Sequence, residues 1–202
     1  MAGLREEKKR RTRQTLIEAA LLLFDERGYD RSTVADIAAA AGVSPATFFN
    51  YFATKEDVVF ADQHLYDEVL DEVFATAGPA EPVADVVVRT VHALATKDSW
   101  SFPLDHPLTA VRTRLLAEVP VLRAGYLLRN AVVGDRWARK LHETYGPRLD
   151  EVEAAALTGA VLGAMQAALQ ANLDESGRPR RPASELALAT VTRTVRGFLP
   201  PE

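Results

Sequence analysis

"GVSPATFFNYFATKED", residues 42 to 57, carries four aromatic rings in five positions: Phe48, Phe49, Tyr51 and Phe52. The whole chain has only 8 Phe, 5 Tyr and 2 Trp in 202 residues, so the crowding asks for a reason. The stretch opens as a helix opens. Ser44 is an N-cap residue, and Pro45 follows at the first helical position, where a missing N–H costs nothing. Stepping about 100° per residue puts Phe48 and Phe52 on one face and Ala46, Thr47 and Asn50 on the other, flanked by Phe49 and Tyr51. So short a helix does not persist alone in water. Phe48 and Phe52 are therefore expected to anchor it to its neighbours through Leu16, Leu23, Ile37 and Val43. The outward face is small, polar and aromatic, where an ordinary surface helix carries Lys and Glu. Its amide, hydroxyl, methyl and rings are groups that read base edges in a major groove.

The segment before it fits that use. Leu16, Ala20, Leu23, Phe24 and Arg27 follow helical spacing, and Gly28 supplies the stop. Thr33 with Asp36 forms a capping-box pattern, and Gly42 closes that helix by taking the left-handed conformation. Two short helices about a glycine turn make a helix-turn-helix, whose second helix enters the groove. Thr54 caps the next helix, with Glu56 and Asp57 in its first turn. Val58, Ala61, Leu65, Val69 and Val73 predict that it runs unbroken to about residue 77. "AGPAEP" at 77–82 is the first clear break. Helices are then expected over 82–97, 108–118, 120–145, 149–173 and 183–198. No stretch alternates as a strand does, so the fold class is all-α. The expected division is a helix-turn-helix domain over 1–57 with a basic arm at 1–13, a connecting helix and linker over 58–80, and a larger helical domain over 81–202.

Net charge is −4, which by itself disfavours nucleic acid, but the charge is unevenly spread. Residues 1–13 hold Arg5, Lys8, Lys9, Arg10, Arg11 and Arg13 against Glu6 and Glu7. Residues 1–60 carry nine bases and nine acids, so the deficit lies entirely beyond residue 60. There is no cysteine, hence no disulfide, thiolate zinc site or cysteine nucleophile. No wholly apolar run reaches the length of a membrane span and no signal-peptide core follows the charged N-terminus, so a cytoplasmic location and no membrane partner are expected. His64, His92, His106 and His142 lack metal-ligand spacing, and "HETY" at 142 lacks a second histidine. With no phosphate loop and no nucleophile elbow, the sequence offers no catalytic residue, metal site or cofactor site.

The string "TVADIAAAAGVSPATFFNYFATKEDV", with "LFDERGYD" before it, closely resembles the DNA-binding domain of TetR-family transcriptional regulators over about residues 10–60. The C-terminal half has a looser similarity, in style, to an acyl-CoA-responsive subgroup. The resemblance implies a double-stranded DNA operator as partner. Thr33 and Ser44 would hold phosphates at helix starts, and Thr47, Phe49 and Asn50 would face bases. Tyr51 and Lys55 would bind phosphate from the groove rim, and Arg13, or the arm before it, would reach the backbone or an adjacent minor groove. Val34 stands where some members carry a base-reading arginine.

The resemblance also implies a homodimer through the last two long helices, binding a pseudo-palindrome. "LTGAVLGAMQAAL" (157–169) offers Gly159, Gly163, Ala164, Ala167 and Ala168 for close helix packing, and "LALATVTRTVRGFL" (186–199) a seam of Leu188, Val191, Val195 and Phe198. An effector pocket is expected between the middle helices, with Trp100, Phe102, Tyr126, Arg129 and Trp137 as candidate ligand contacts. Its occupant would be apolar or amphipathic, such as a fatty acyl thioester. The basic loop of Arg178, Arg180 and Arg181 reads either as a phosphate contact or as a solvated loop. The competing reading for the whole chain is a DNA-binding regulator or architectural protein without a small-molecule effector.

Overall fold

Three hydroxyl caps order the first third of the chain. The computed structural model describes residues 2–199, with side chains from residue 5 onward. Helix α1 (Ala2–Arg27) ends at Gly28, which has φ +84°. Thr33 caps α2 (Val34–Ala40), Ser44 caps α3 (Pro45–Phe49), and Thr54 caps α4 (Lys55–Val59). In each case the hydroxyl accepts from a backbone N–H three residues on, and at Thr33 and Thr54 the acid at that position reaches back to the cap N–H. Gly42, at φ +69°, makes the turn between α2 and α3. A side chain there would meet no neighbour, so the backbone conformation is what calls for glycine.

The expected unbroken helix from Thr54 is in fact two. After α4 the chain turns through residues 60–63, and α5 (His64–Phe74) follows. The turn carries Asp62 inward, where it accepts from Ser101 Oγ at 2.6 Å and Arg112 Nη1 at 2.9 Å. The apolar spacing continues across the break, so periodicity alone cannot show it. The basic arm is likewise no separate arm: residues 5–11 are the exposed first turns of α1.

The body comprises α6 (Val83–Thr96), α7 (Pro107–Glu118), α8 (Pro120–Tyr145), a 3-10 turn at Gly146–Arg148, α9 (Glu151–Ala171) and α10 (Ala183–Phe198). No strand occurs among the described residues, only one isolated bridge between Leu173 and Pro179. The chain is all-α, as its sequence predicts. One core gathers Leu16, Leu23, Phe24, Ile37, Phe48 and Phe52 and continues into Leu108, Val111, Leu115 and Leu122, so it reaches well past residue 57. The other joins Val69, Val86, Val91, Trp137, Leu141, Leu157, Val161 and Val191. Between them the junction is polar and close. Arg114 pairs with Asp25 of α1, and Gln14 donates to the Ser101 carbonyl. Arg129 sits 3.9 Å from the Phe60 ring centre and 3.7 Å from Asp57 Oδ1. Gly125 lets α8 approach there, since a Cβ would come within 3.2 Å of the Phe60 ring.

Candidate DNA-binding face and effector cavity

Helix α3 divides as its sequence predicts. Phe48 is fully buried and Phe52 nearly so, packed with Leu16, Leu23 and Ile37, with Val43 against their edge. The Phe48 ring touches Phe49 edge-on at 5.5 Å and Phe52 at 5.6 Å. Phe49 is 55% exposed. Ala46 and Asn50 are exposed and Thr47 half-exposed, so an amide, a hydroxyl, a methyl and a ring share one outward surface. The helix spans five residues, and Asn50 is its C-cap. The Asn50 side chain has no hydrogen-bond partner among the described residues.

The remaining predicted DNA contacts differ in how free they are. Ser44 Oγ lies 2.9 Å from Thr47 Oγ1, and Thr33 N donates to Asp36 Oδ2 at 2.9 Å. Hydrogen bonds from the Thr33 hydroxyl and backbone hold the Asp36 carboxyl below its ordinary range. Tyr51 is half-buried against the first core. Lys55 is turned inward: Nζ donates to Tyr29 O at 3.0 Å and Ser32 O at 3.3 Å and lies 4.0 Å above the Tyr29 ring. The ammonium thereby satisfies carbonyls at the exit of α1. Beside it, burial works to raise the Glu56 carboxyl, but the Tyr29 hydroxyl bond and the charge of Lys55 help to hold it below its usual range. Arg13 is also turned inward. Its guanidinium donates to Ala61 O, lies 3.9 Å from Asp62 and 5.3 Å from the Phe52 ring centre. Burial and the nearby Arg112 lower its pKa, and Asp62 acts against them. The exposed bases of the α1 extension line a groove instead: Arg5, Lys8 and Arg11 face Ala41 and Val43 of the helix-turn-helix turn.

A cavity of about 160 Å³ lies in the body, between α5, α6, α7, α8, α9 and α10. Of the five predicted ligand contacts it holds three. Trp100 donates from Nε1 to Leu94 O at 2.6 Å and meets Tyr66 edge-on at 5.4 Å. Phe102 stacks on His106 at 4.7 Å, and Tyr126 joins the wall, where burial raises its hydroxyl pKa. The other two lie elsewhere. Trp137 is buried in the second core, away from the cavity lining, and Arg129 ties α8 to Phe60 and Asp57. Helical spacing marks an aromatic as inward-facing but does not distinguish packed core from cavity wall. The residue that sequence reasoning missed is Arg112, the single charged residue in the wall.

A helix-turn-helix head with an exposed, uncharged α3 face, joined to a helical body with a cavity, is the architecture of a DNA-binding regulator. The model for "Bacterial regulatory proteins, tetR family" matches residues 16–61. The HTH-type transcriptional regulator TcmR of Streptomyces glaucescens is 34% identical over 155 residues, which cover 74% of this chain and 67% of that protein. LuxR of Vibrio harveyi, another HTH-type regulator, is 51% identical over 61 residues, 30% of this chain and 26% of that protein. The solved structure of Thermus thermophilus FadR, a repressor in complex with lauroyl-CoA, aligns with TM-score 0.56 at 21% identity over 94% of this chain and 96% of that one. The chain belongs to the tetR family of bacterial transcriptional regulators.

Proposed function

We propose that the protein is a ligand-responsive repressor, a homodimer whose two α3 helices read a pseudo-palindromic operator and which a small apolar or amphipathic effector releases. The observation that carries the reading is the joint placement of the α3 face and the cavity. The face is exposed and without charge, and the cavity wall includes Arg112 of α7, which pairs with Asp62 in the turn between α4 and α5. Thr47, Phe49 and Asn50 would read bases, and Thr33, Ser44, Tyr51 and the bases of the α1 extension would hold phosphates. Arg13 and Lys55 would act from behind this surface, by fixing α1 and the α1 exit.

The effector's size follows from the cavity. A cavity of roughly 150 Å³ holds benzene, so about 160 Å³ suits a single ring or a short chain. The structural neighbour bound to lauroyl-CoA supports an amphipathic effector, although a whole acyl thioester would require the cavity to open further. A ligand releases DNA only if it prefers the form whose heads are wrongly placed. A coupling of about 1–3 kcal/mol would cut operator affinity roughly 5–150-fold.

The test is anisotropy titration on DNA flanking the protein's own gene, with and without candidate metabolites. Release by one of them, with DNA weakening that ligand's binding by the same factor, supports the reading. Specific DNA binding that no cavity ligand changes would favour a regulator without an effector.

A further inference from the structure

One residue of the cavity wall, Arg112, carries a guanidinium edge with no partner among the described residues. Arg112 on α7 has a side chain only 14% exposed, and it meets Asp62 through one nitrogen, Nη1 to Oδ2 at 2.9 Å. Its Nε and Nη2 are buried and have no hydrogen-bond partner among the described residues. Those two nitrogens form the edge of a guanidinium whose N–H bonds run parallel and grip both oxygens of a carboxylate. The same chain shows such an edge filled: Arg89 donates from Nε at 3.1 Å and Nη2 at 2.7 Å to the two carboxylate oxygens of Glu81. At Arg112 no acid does this. Asp62 is shared between Arg112 and Arg13, two guanidiniums on one carboxylate. Of the fifteen lining residues none is Asp or Glu, and the rest of the wall is apolar or neutral, with Tyr66, Thr109, Thr113 and Tyr126 as its hydroxyls. Buried donors on a charged group are costly to leave unpaired, and an anion that shifts the packing over these two nitrogens relieves that cost without breaking a hydrogen bond to them.

We infer that the effector is a small organic acid, its apolar body in the cavity and its carboxylate on the Nε/Nη2 edge of Arg112. This rests on the reading of the cavity as the effector site. It also suggests a route to the head. A second carboxylate at Arg112 repels that of Asp62. Asp62 is a partner of Arg13 on α1 and of the Ser101 hydroxyl, while the Ser101 carbonyl holds Gln14 of α1. Charge on the free edge therefore acts on the contacts that seat the first helix of the DNA-binding head.

The test uses the full chain and two acids, octanoate and benzoate, each against its neutral counterpart, octanol and benzyl alcohol, by calorimetry. The acids should bind about 10-fold or more tightly than the alcohols. The preference should fall to about threefold or less in Arg112→Lys, which keeps a charge opposite Asp62 but cannot form the fork. Ala95→Phe, which fills the cavity, should abolish binding of both series. Alcohols binding as tightly as acids to the wild type would overturn the inference and leave the cavity reading standing. Acid binding that survives Ala95→Phe, or failure of both series to bind, would overturn the inference and the cavity reading together. The wild-type comparison needs no variant, so misfolding of Arg112→Lys would leave the outcome decisive.

Discussion

Lys55 holds two carbonyls and an aromatic face at once, and this changes what its substitution should do. Lys55→Ala removes the donors to Tyr29 O and Ser32 O and the cation above the Tyr29 ring. A loss of about 1–2 kcal/mol of stability is expected, read as a lower denaturant midpoint. The salt dependence of DNA binding separates this from a phosphate contact. A slope reduced by about one unit would add a phosphate to its partners, and an unchanged slope would leave Lys55 a purely structural residue. Asn50 presents the opposite case, with its amide exposed and uncommitted. Asn50→Ala should cost about 1–3 kcal/mol on the preferred sequence by losing discrimination at one base pair, while affinity for random DNA stays the same. Equal losses on both would remove Asn50 from base readout. The contrast was only half legible in the sequence. The outward face of α3 follows from a few consecutive residues, whereas the carbonyls that take Lys55 are more than 20 positions away. Arg112 and Asp62 lie 50 positions apart, so the unfilled edge in the cavity wall has no local signature at all.

At the scale of the elements, the caps decide where α2, α3 and α4 begin. They were readable because a cap and its partner are three residues apart. Thr33→Ala removes an N-cap and should destabilise the head by about 1 kcal/mol, measured by chemical denaturation. Its partner Asp36 gives the interaction a pH dependence of definite sign. The Asp36 carboxyl is held below its ordinary value by the Thr33 hydroxyl and backbone bonds. Its contribution is therefore present above the unfolded carboxylate pKa, about 3.9, and lost as pH falls through the lower folded value. The stability difference between wild type and Asp36→Ala should be flat from neutral pH to about pH 5 and shrink in more acid solution. A difference that grows with acid would contradict this assignment. The turn at residues 60–63 escaped the sequence for a physical reason. Asp62 in that turn is held by Ser101 and Arg112, tertiary contacts that leave the apolar spacing intact.

For the molecule as a whole, the open question is what covers its apolar surface. Helix α9 is 21 residues long with a mean hydropathy of 1.4 over its most apolar window, and only 22% of that window is buried. By length and composition alone it could span a membrane, although the sequence has no unbroken apolar run of that length. Beyond its first turn, where Val152 is also exposed, its exposed positions are small residues, among them Ala155, Ala156, Gly159, Gly163 and Ala167. A Cβ at Gly159 or Gly163 would meet nothing within 4 Å in this chain, so the chain itself has no need of glycine there. A partner helix packed closely against α9 would need it. Beside this strip, Leu127, Leu128 and Val132 of α8 are at least half exposed. The seam expected on α10 is different, for Val191 and Val195 are buried in the chain's own core. Gly163→Leu should therefore leave the fold intact and yield monomers in sedimentation, because its Cβ meets nothing in the subunit and, in the proposed dimer, its side chain would clash with the partner helix. A dimeric Gly163→Leu protein would place the interface elsewhere.

On the proposed reading, the molecule holds two copies of α3 on one stretch of DNA. Footprinting on the sequence flanking its own gene, repeated with Asn50→Ala, tests that at once. The prediction is protection of an inverted repeat, two half-sites read by two copies of α3, with Asn50→Ala weakening the protection by losing discrimination at one base pair of each half-site while affinity for random DNA stays the same. Protection of a single asymmetric site, or a footprint that Asn50→Ala leaves unchanged, would contradict it.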